Sequence, residues 1–110
     1  MIQGDLSVVN WSYVSSSSVR AYQLGHIVII QGTFKTGGSA SNDTAYFTIP
    51  STIGVPFDDT GWSGAAGNQN TGIKMYIPKG SRTIYLIWND TGTSAFYQMS
   101  WVYYTATSIY

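Results

Sequence analysis

No stretch of this chain can be drawn as an amphipathic helix. Nowhere do apolar residues recur at i, i+3, i+4 and i+7 between capping residues. Glu is absent, and Ala, Lys and Arg are sparse, which removes most good helix formers. What remains is a series of short β-branched and aromatic runs cut by Gly, Pro, Asn and Ser clusters. The pattern predicts strands near Leu6–Asn10, Ser17–Gln23, His26–Lys35, Ala45–Ile49, Thr60–Ala65, Gly72–Ile77, Thr83–Asn89 and Ser94–Thr105. Their regular spacing predicts an all-β fold, an antiparallel β-sandwich or jelly-roll-like barrel. With 110 residues, the chain reads as a single domain over residues 1–110, without linker or internal repeat.

Three turns punctuate the pattern. Leu24-Gly25 before His26 reads as a tight hairpin turn. Pro78-Lys79-Gly80 is a second, with Pro presetting φ and Gly tolerating positive φ. Asn89-Asp90-Thr91-Gly92 is a third, and the serine run Ser15–Ser18 reads as a hairpin loop. The strand faces carry further information. Along His26–Lys35, Val28, Ile30 and Phe34 share one face while Ile27 and Ile29 lie on the other. Along Ser94–Tyr104, Ala95, Tyr97, Met99, Trp101 and Tyr103 share one face, and Phe96, Val102 and Tyr104 the other. A half-exposed antiparallel strand alternates apolar with polar. Here both faces are partly apolar, so one face is expected to pack on the core and part of the other on a neighbouring copy. The competing account is a two-layer core with scattered apolar surface residues.

Charge excludes several function classes. Only 9% of residues are charged and the formal net charge is zero. Arg20, Lys35, Lys74, Lys79 and Arg82 are scattered singly, so no basic stripe exists to neutralise phosphates and no nucleic-acid partner is expected. No basic amphipathic helix suits a membrane surface, and apolar runs such as Ile27–Ile30 are too short to span a bilayer, so no membrane insertion is expected. The chain opens without a secretory leader pattern. With no cysteine, disulfides, thiolate metal sites and cysteine catalysis are excluded.

Catalytic constellations are sparse. His26 is the sole histidine, beside a turn, and no G-x-S-x-G elbow accompanies it. Asp5, Asp43, Asp58, Asp59 and Asp90 are the carboxylates. Asp58-Asp59 is adjacent in sequence, and on an extended chain such side chains diverge rather than flank a glycosidic bond. No acidic loop dense enough for calcium is present, so neither metal nor cofactor is expected. The aromatics are the feature most in need of an account: nine Tyr, four Trp and four Phe. Trp and Tyr combine an apolar ring with a polar tip, which suits the C–H face and hydroxyls of sugars. The segment from Phe57 to Asn70 gathers Trp62, Asp58, Asp59, Asn68 and Asn70 among glycines, and Trp88 lies beside Asn89 and Asp90 at a strand end. These six are the candidate saccharide-binding residues. A core role is the competing account for each Trp and is preferred for Trp101. Trp11 stands behind Trp62 as a further candidate, level with Trp88.

The order of three segments adds a resemblance. They are Val19–Phe34, then Phe47-Thr48-Ile49-Pro50 with Gly54-Val55-Pro56, then Lys79-Gly80-Ser81-Arg82-Thr83-Ile84-Tyr85-Leu86. This order resembles the C-terminal head domains of bacteriophage tail fibres and baseplate receptor-binding proteins. There a strand ending in a basic residue leads into x-x-G-x-x-V-x-x-x-G-x-F, and a second strand ends in F-x-[IL]-P. The likeness covers about residues 6–104. It implies a homotrimeric sandwich or barrel at the distal end of a virion tail, joined to other tail or baseplate proteins through N-terminal regions. It also implies adsorption to the host by non-catalytic binding of bacterial cell-wall polysaccharide or another surface glycan. No residue is carried over, because such heads lack a uniform binding motif. The alternatives are a structural oligomerisation or decoration domain, a polysaccharide depolymerase using paired carboxylates, and a carbohydrate module of a secreted enzyme.

Overall fold

The computed structural model describes residues 1–38, 40–89 and 94–109, without the side chains of 88, 89, 108 and 109. It is all-β, with two antiparallel sheets and no helix among the described residues. The strands are β1 Ile2–Asp5, β2 Ser7–Val8, β3 Val14–Thr36, β4 Ala45–Thr48, β5 Thr60–Ala65, β6 Gly72–Ile77, β7 Thr83–Asn89 and β8 Phe96–Ile109. One sheet has the order β1-β3-β8, the other β2-β4-β7-β6-β5.

Strand β3 cannot be straight. At about 3.3 Å per residue its 23 residues would reach about 75 Å, yet the longest dimension of the protein is 39 Å. It doubles back at Leu24-Gly25, where Gly25 has φ +60° and Leu24 stands exposed. Ser15 Oγ donates to the Thr36 carbonyl (3.2 Å), and the Gly37 and Gly38 amides donate to the Tyr13 and Ser12 carbonyls. The predicted hairpin turn is therefore present, and the sheet holds four antiparallel runs. β1 pairs with the first arm (Ile2↔Gln23 to Asp5↔Arg20), and β8 pairs with the second (Ile27↔Tyr104 to Lys35↔Phe96).

Two expectations need correction. Ser15–Ser18 is not a loop but lies inside β3. Val14 is buried at an even position, whereas Val19, Ala21 and Gln23 are buried at odd ones. The in–out alternation of the arm therefore breaks within the serine run, as at a β-bulge. Small hydroxylic side chains tolerate both the bend and the solvent. The expected Leu6–Asn10 strand is shortened to Ser7–Val8, and a strand not expected from the sequence precedes it. Residues 2–5 form β1 in one sheet, Leu6 turns inward, and only Ser7–Val8 enters the other. The chain changes sheet at Leu6, whose amide still donates to the Val19 carbonyl of β3. The Pro78–Gly80 turn is present, with the Ser81 amide donating to the Pro78 carbonyl and Gly80 at φ +74°. Residues 90–93 of the third predicted turn lie outside the described residues.

The core lies between the sheets. Val28, Ile30 and Phe34 from β3 lie beside Tyr97, Met99 and Trp101 from β8, with Ala95 just before that strand, and Phe47, Ile73, Met75, Ile77, Ile84 and Leu86 close the core from the second sheet. Both predicted inward faces match. Phe34 centres an aromatic group, edge-on to Phe47 and stacked on Tyr97. At one margin the sandwich is drawn shut. Trp101 Nε1 donates to Thr60 Oγ1 (3.0 Å), and the Gly67 and Phe57 amides donate to the Phe96 and Tyr104 carbonyls. Edge strand β5 is thereby tied to edge strand β8, which protects both from pairing elsewhere.

The predicted apolar outer face is also present. Ile27, Ile29, Val102 and Tyr104 are all exposed, and the register sets Ile27 against Tyr104 and Ile29 against Val102. Phe57 adds its ring edge to Tyr104 at 5.7 Å. His26, beside the hairpin turn, is not free. It is half-buried, with Nδ1 2.8 Å from the Thr105 carbonyl and its ring stacked on Tyr104.

Candidate functional site

The six predicted binding residues do not converge. Asp58 and Asp59 precede β5, beside Phe57, Tyr103 and Tyr104. Asn68 and Asn70 lie in the loop after β5, at its other end. Six residues of strand hold the two groups about 20 Å apart. Several also have structural partners. Asp59 Oδ1 accepts from the Lys79 amide (2.7 Å) and so fixes the turn after β6. Asn68 clamps the start of β8, donating to the Ser94 carbonyl and accepting from the Phe96 amide. Asp58 and Asn70 are exposed.

Trp62 is half-buried and packs against the core. Its indole stacks on Trp101 at 6.4 Å, and it crosses the space where a side chain at Gly64 would stand. One ring face is thus committed to protein. Trp101 is core, 2% exposed. The Trp88 backbone pairs with Lys74, but its side chain lies outside the described residues.

A different tryptophan stands free. Trp11 is 61% exposed, on the turn between β2 and β3. That turn is fixed locally. Asn10 Oδ1 accepts from the Ser12 amide (2.9 Å), and its carbonyl accepts from the Tyr13 amide. Asx turns of this kind hold short loops without a core of their own. Tyr13 then anchors the loop by stacking on buried Tyr46. Trp11 overlooks a depression of about 450 Å³ whose lining includes Asp5, Ser7, Ser17 and Ser18 over Leu6, Val8 and Val19. The Asp5 carboxylate is exposed and paired with Arg20 Nε at 3.2 Å. The β3 bulge forms one wall and the change of sheet at Leu6 the other. The sequence places Trp11 behind Trp62, level with Trp88; Asp5, Ser17 and Ser18 meet it only in the fold. An Asn one residue before a Trp, within a short connection, is the signal that could have raised it.

A second aromatic group was missed altogether. On the outer face of the five-stranded sheet, Tyr76 and Tyr85 are direct cross-strand partners with rings stacked at 5.4 Å. Tyr76 donates its hydroxyl to Asp43 Oδ1 (2.9 Å), and this bond pushes the phenol pKa upward. The alternation Lys74-Met75-Tyr76 and Tyr85-Leu86 places both tyrosines outward, opposite buried Met75 and Leu86.

In chemical terms, the described residues hold no group of three or more His, Cys, Asp or Glu that could ligate a metal. What they offer outward is aromatic rings, hydroxyls, and single carboxylates, of which Asp5, Asp43 and Asp59 are oriented by a partner. No family model, curated protein or solved structure matches this chain.

Proposed function

We propose that this domain binds saccharide without cleaving it, and that it serves as the receptor-binding head of a bacteriophage tail, adsorbing the virion to bacterial cell-wall polysaccharide. The observation that carries the binding reading is Trp11. A tryptophan held out to solvent by a capped turn, over a recess lined by a carboxylate and three serine hydroxyls, offers both a stacking face and hydrogen-bond partners. An isolated exposed Trp with no such setting would carry little weight. The phage setting is supported by the resemblance of the Val19–Phe34 and Phe47–Pro50 segments.

The test is binding of fluorescently labelled protein to whole bacterial cells and purified cell-wall polysaccharide. Trp11→Ala is expected to weaken binding at least about tenfold, the size of a ~1.4 kcal/mol contact, with an unchanged melting temperature. Retained affinity in the variant would move the site to Trp62 or Trp88. No binding across a broad strain panel would sink the saccharide reading in favour of a structural domain, and release of reducing ends would establish a depolymerase.

The same proposal includes self-association, with a trimer expected, through the face bearing Ile27, Ile29, Val102 and Tyr104. Linked copies raise the avidity of shallow sites by ~10²–10⁴ without new contacts. Ile29→Glu would set a charge in the centre of this face and is expected to convert the assembly to monomer in sedimentation equilibrium. A wild-type protein that is monomeric at its highest soluble concentration would refute this.

A further inference from the structure

We infer that the bound saccharide is an extended polymer, lying from the Trp11 recess across the outer face of the five-stranded sheet to the Tyr85–Tyr76 pair, and not a terminal mono- or disaccharide. The inference rests on the saccharide-binding reading above and specifies its ligand.

The sheet register supplies the path. Ser7 lines the Trp11 recess and pairs with Thr48, which pairs in turn with Thr83. All three lie on the outward side, since their neighbours Val8, Phe47 and Ile84 face the core. They form a row of three hydroxyls across β2, β4 and β7. One pleat further along, the next outward row runs Ala45, Tyr85, Tyr76, Gly61 across β4, β7, β6 and β5. Its middle is a tyrosine shelf and its ends are small residues. With strands about 4.8 Å apart, Ser7 and Tyr76 are separated by about 16 Å. That is longer than one sugar ring.

The far end is as well fixed as the near end. Tyr76 is held by stacking and by Asp43, so its ring is positioned before any ligand arrives. Exposed Gly61 has no side chain to obstruct approach to the shelf. Just past it, a depression of about 230 Å³ is bounded in part by Ser63, Lys74 and Ile87. Aromatic rings at two ends with hydroxyls between them fit a repeating chain of rings and hydroxyls. The recess alone could seat one sugar, but the hydroxyl row and the tyrosine shelf beyond it are reached only by a longer chain laid across the sheet.

The experiment uses acid-hydrolysed bacterial cell-wall polysaccharide, fractionated from disaccharide to decasaccharide, with affinity measured by calorimetry. Wild-type affinity is expected to rise at least about tenfold with length, as linked contacts add. Tyr76→Ala and Tyr85→Ala should abolish that rise while leaving disaccharide binding intact. Thr48→Arg, which lays a long side chain across the hydroxyl row, should do the same without touching the shelf. Trp11→Ala should weaken every length. Equal wild-type affinity for short and long fragments would overturn the inference while leaving the saccharide reading standing. So would Tyr76 and Thr48 variants that keep the full length dependence. Binding at no length, with intact polysaccharide also unbound, would overturn both.

Discussion

Gly32→Ala is expected to lower the melting temperature by about 10–20 °C. Gly32 sits in the second arm of β3 with φ +147°, a conformation L side chains rarely adopt. The space is also closed: a Cβ there would overlap the Ser18 carbonyl oxygen and lie 2.6 Å from the Val19 Cα. Both obstacles are backbone atoms in the bulged arm and cannot rotate aside. A strained φ costs roughly 1–3 kcal/mol, and forcing atoms into packed backbone adds about 1–3 more. Together they make ~2–6 kcal/mol, centred near ~4, and a domain of this size loses about 3–6 °C per kcal/mol. Gly25→Ala separates the two causes. Gly25 has φ +60° but nothing within 4 Å of its Cβ position, so only the conformational cost of about 1–2 kcal/mol applies. Similar losses in the two variants would show that the close approach at Ser18 contributes nothing. The wall of the Trp11 recess is built from this same bulge. Gly32→Ala is therefore also expected to weaken saccharide binding below its melting temperature, an effect Gly25→Ala should not share.

The bulge marks the limit of what could be read from the chain. Period-two alternation identified the inward residues of β3 and β8, because burial on one face is a local property of a strand. The hairpin at Leu24-Gly25 was legible for the same reason: a glycine between two apolar runs has few other uses. The serine run was misjudged because a bulge and a loop use the same small polar residues. Only the parity of Val14 against Val19, visible once burial is known, tells them apart. The site was less legible than the fold. Residues 57–70 looked like a cluster in sequence, but β5 separates its carboxylates from its amides, and Trp62 turns one face to Trp101. In a β-sandwich, outward neighbours come from different strands, so a binding surface is scattered along the chain. Ser7, Thr48 and Thr83 are such neighbours, as are Tyr76 and Tyr85. No window of sequence contains them together.

Alkaline pH should unfold this domain well before it affects one whose tyrosines are at the surface. Tyr46 is fully buried, and its hydroxyl has no hydrogen-bond partner among the described residues. Burial, reinforced by neighbouring Tyr97 and Tyr13, pushes its pKa from 10 to about 12. Tyr103 shifts the same way, also through burial, with the Arg82 charge pulling weakly against it. Its hydroxyl donates to the Gly54 carbonyl (2.6 Å), a bond the phenolate could not make. The sign follows from proton binding. Above pH 10 the unfolded chain loses these protons while the folded protein keeps them, so stability falls as pH rises. Their contribution is complete below pH 10 and declines until the folded-state pKa values are passed. About two pKa units at Tyr46 alone amount to roughly 3 kcal/mol, a large share of the ~5–15 kcal/mol that holds a domain together. Urea midpoints are expected to stay level from neutral pH to about 9 and then to drop steeply. Tyr46→Phe should shallow that drop and leave neutral-pH stability unchanged or higher, since it removes a buried hydroxyl that has no partner. Tyr103→Phe should shallow it too, but from a lower starting point, because the Gly54 carbonyl loses its donor. A drop of undiminished steepness in the double Phe variant would assign alkaline unfolding to other groups.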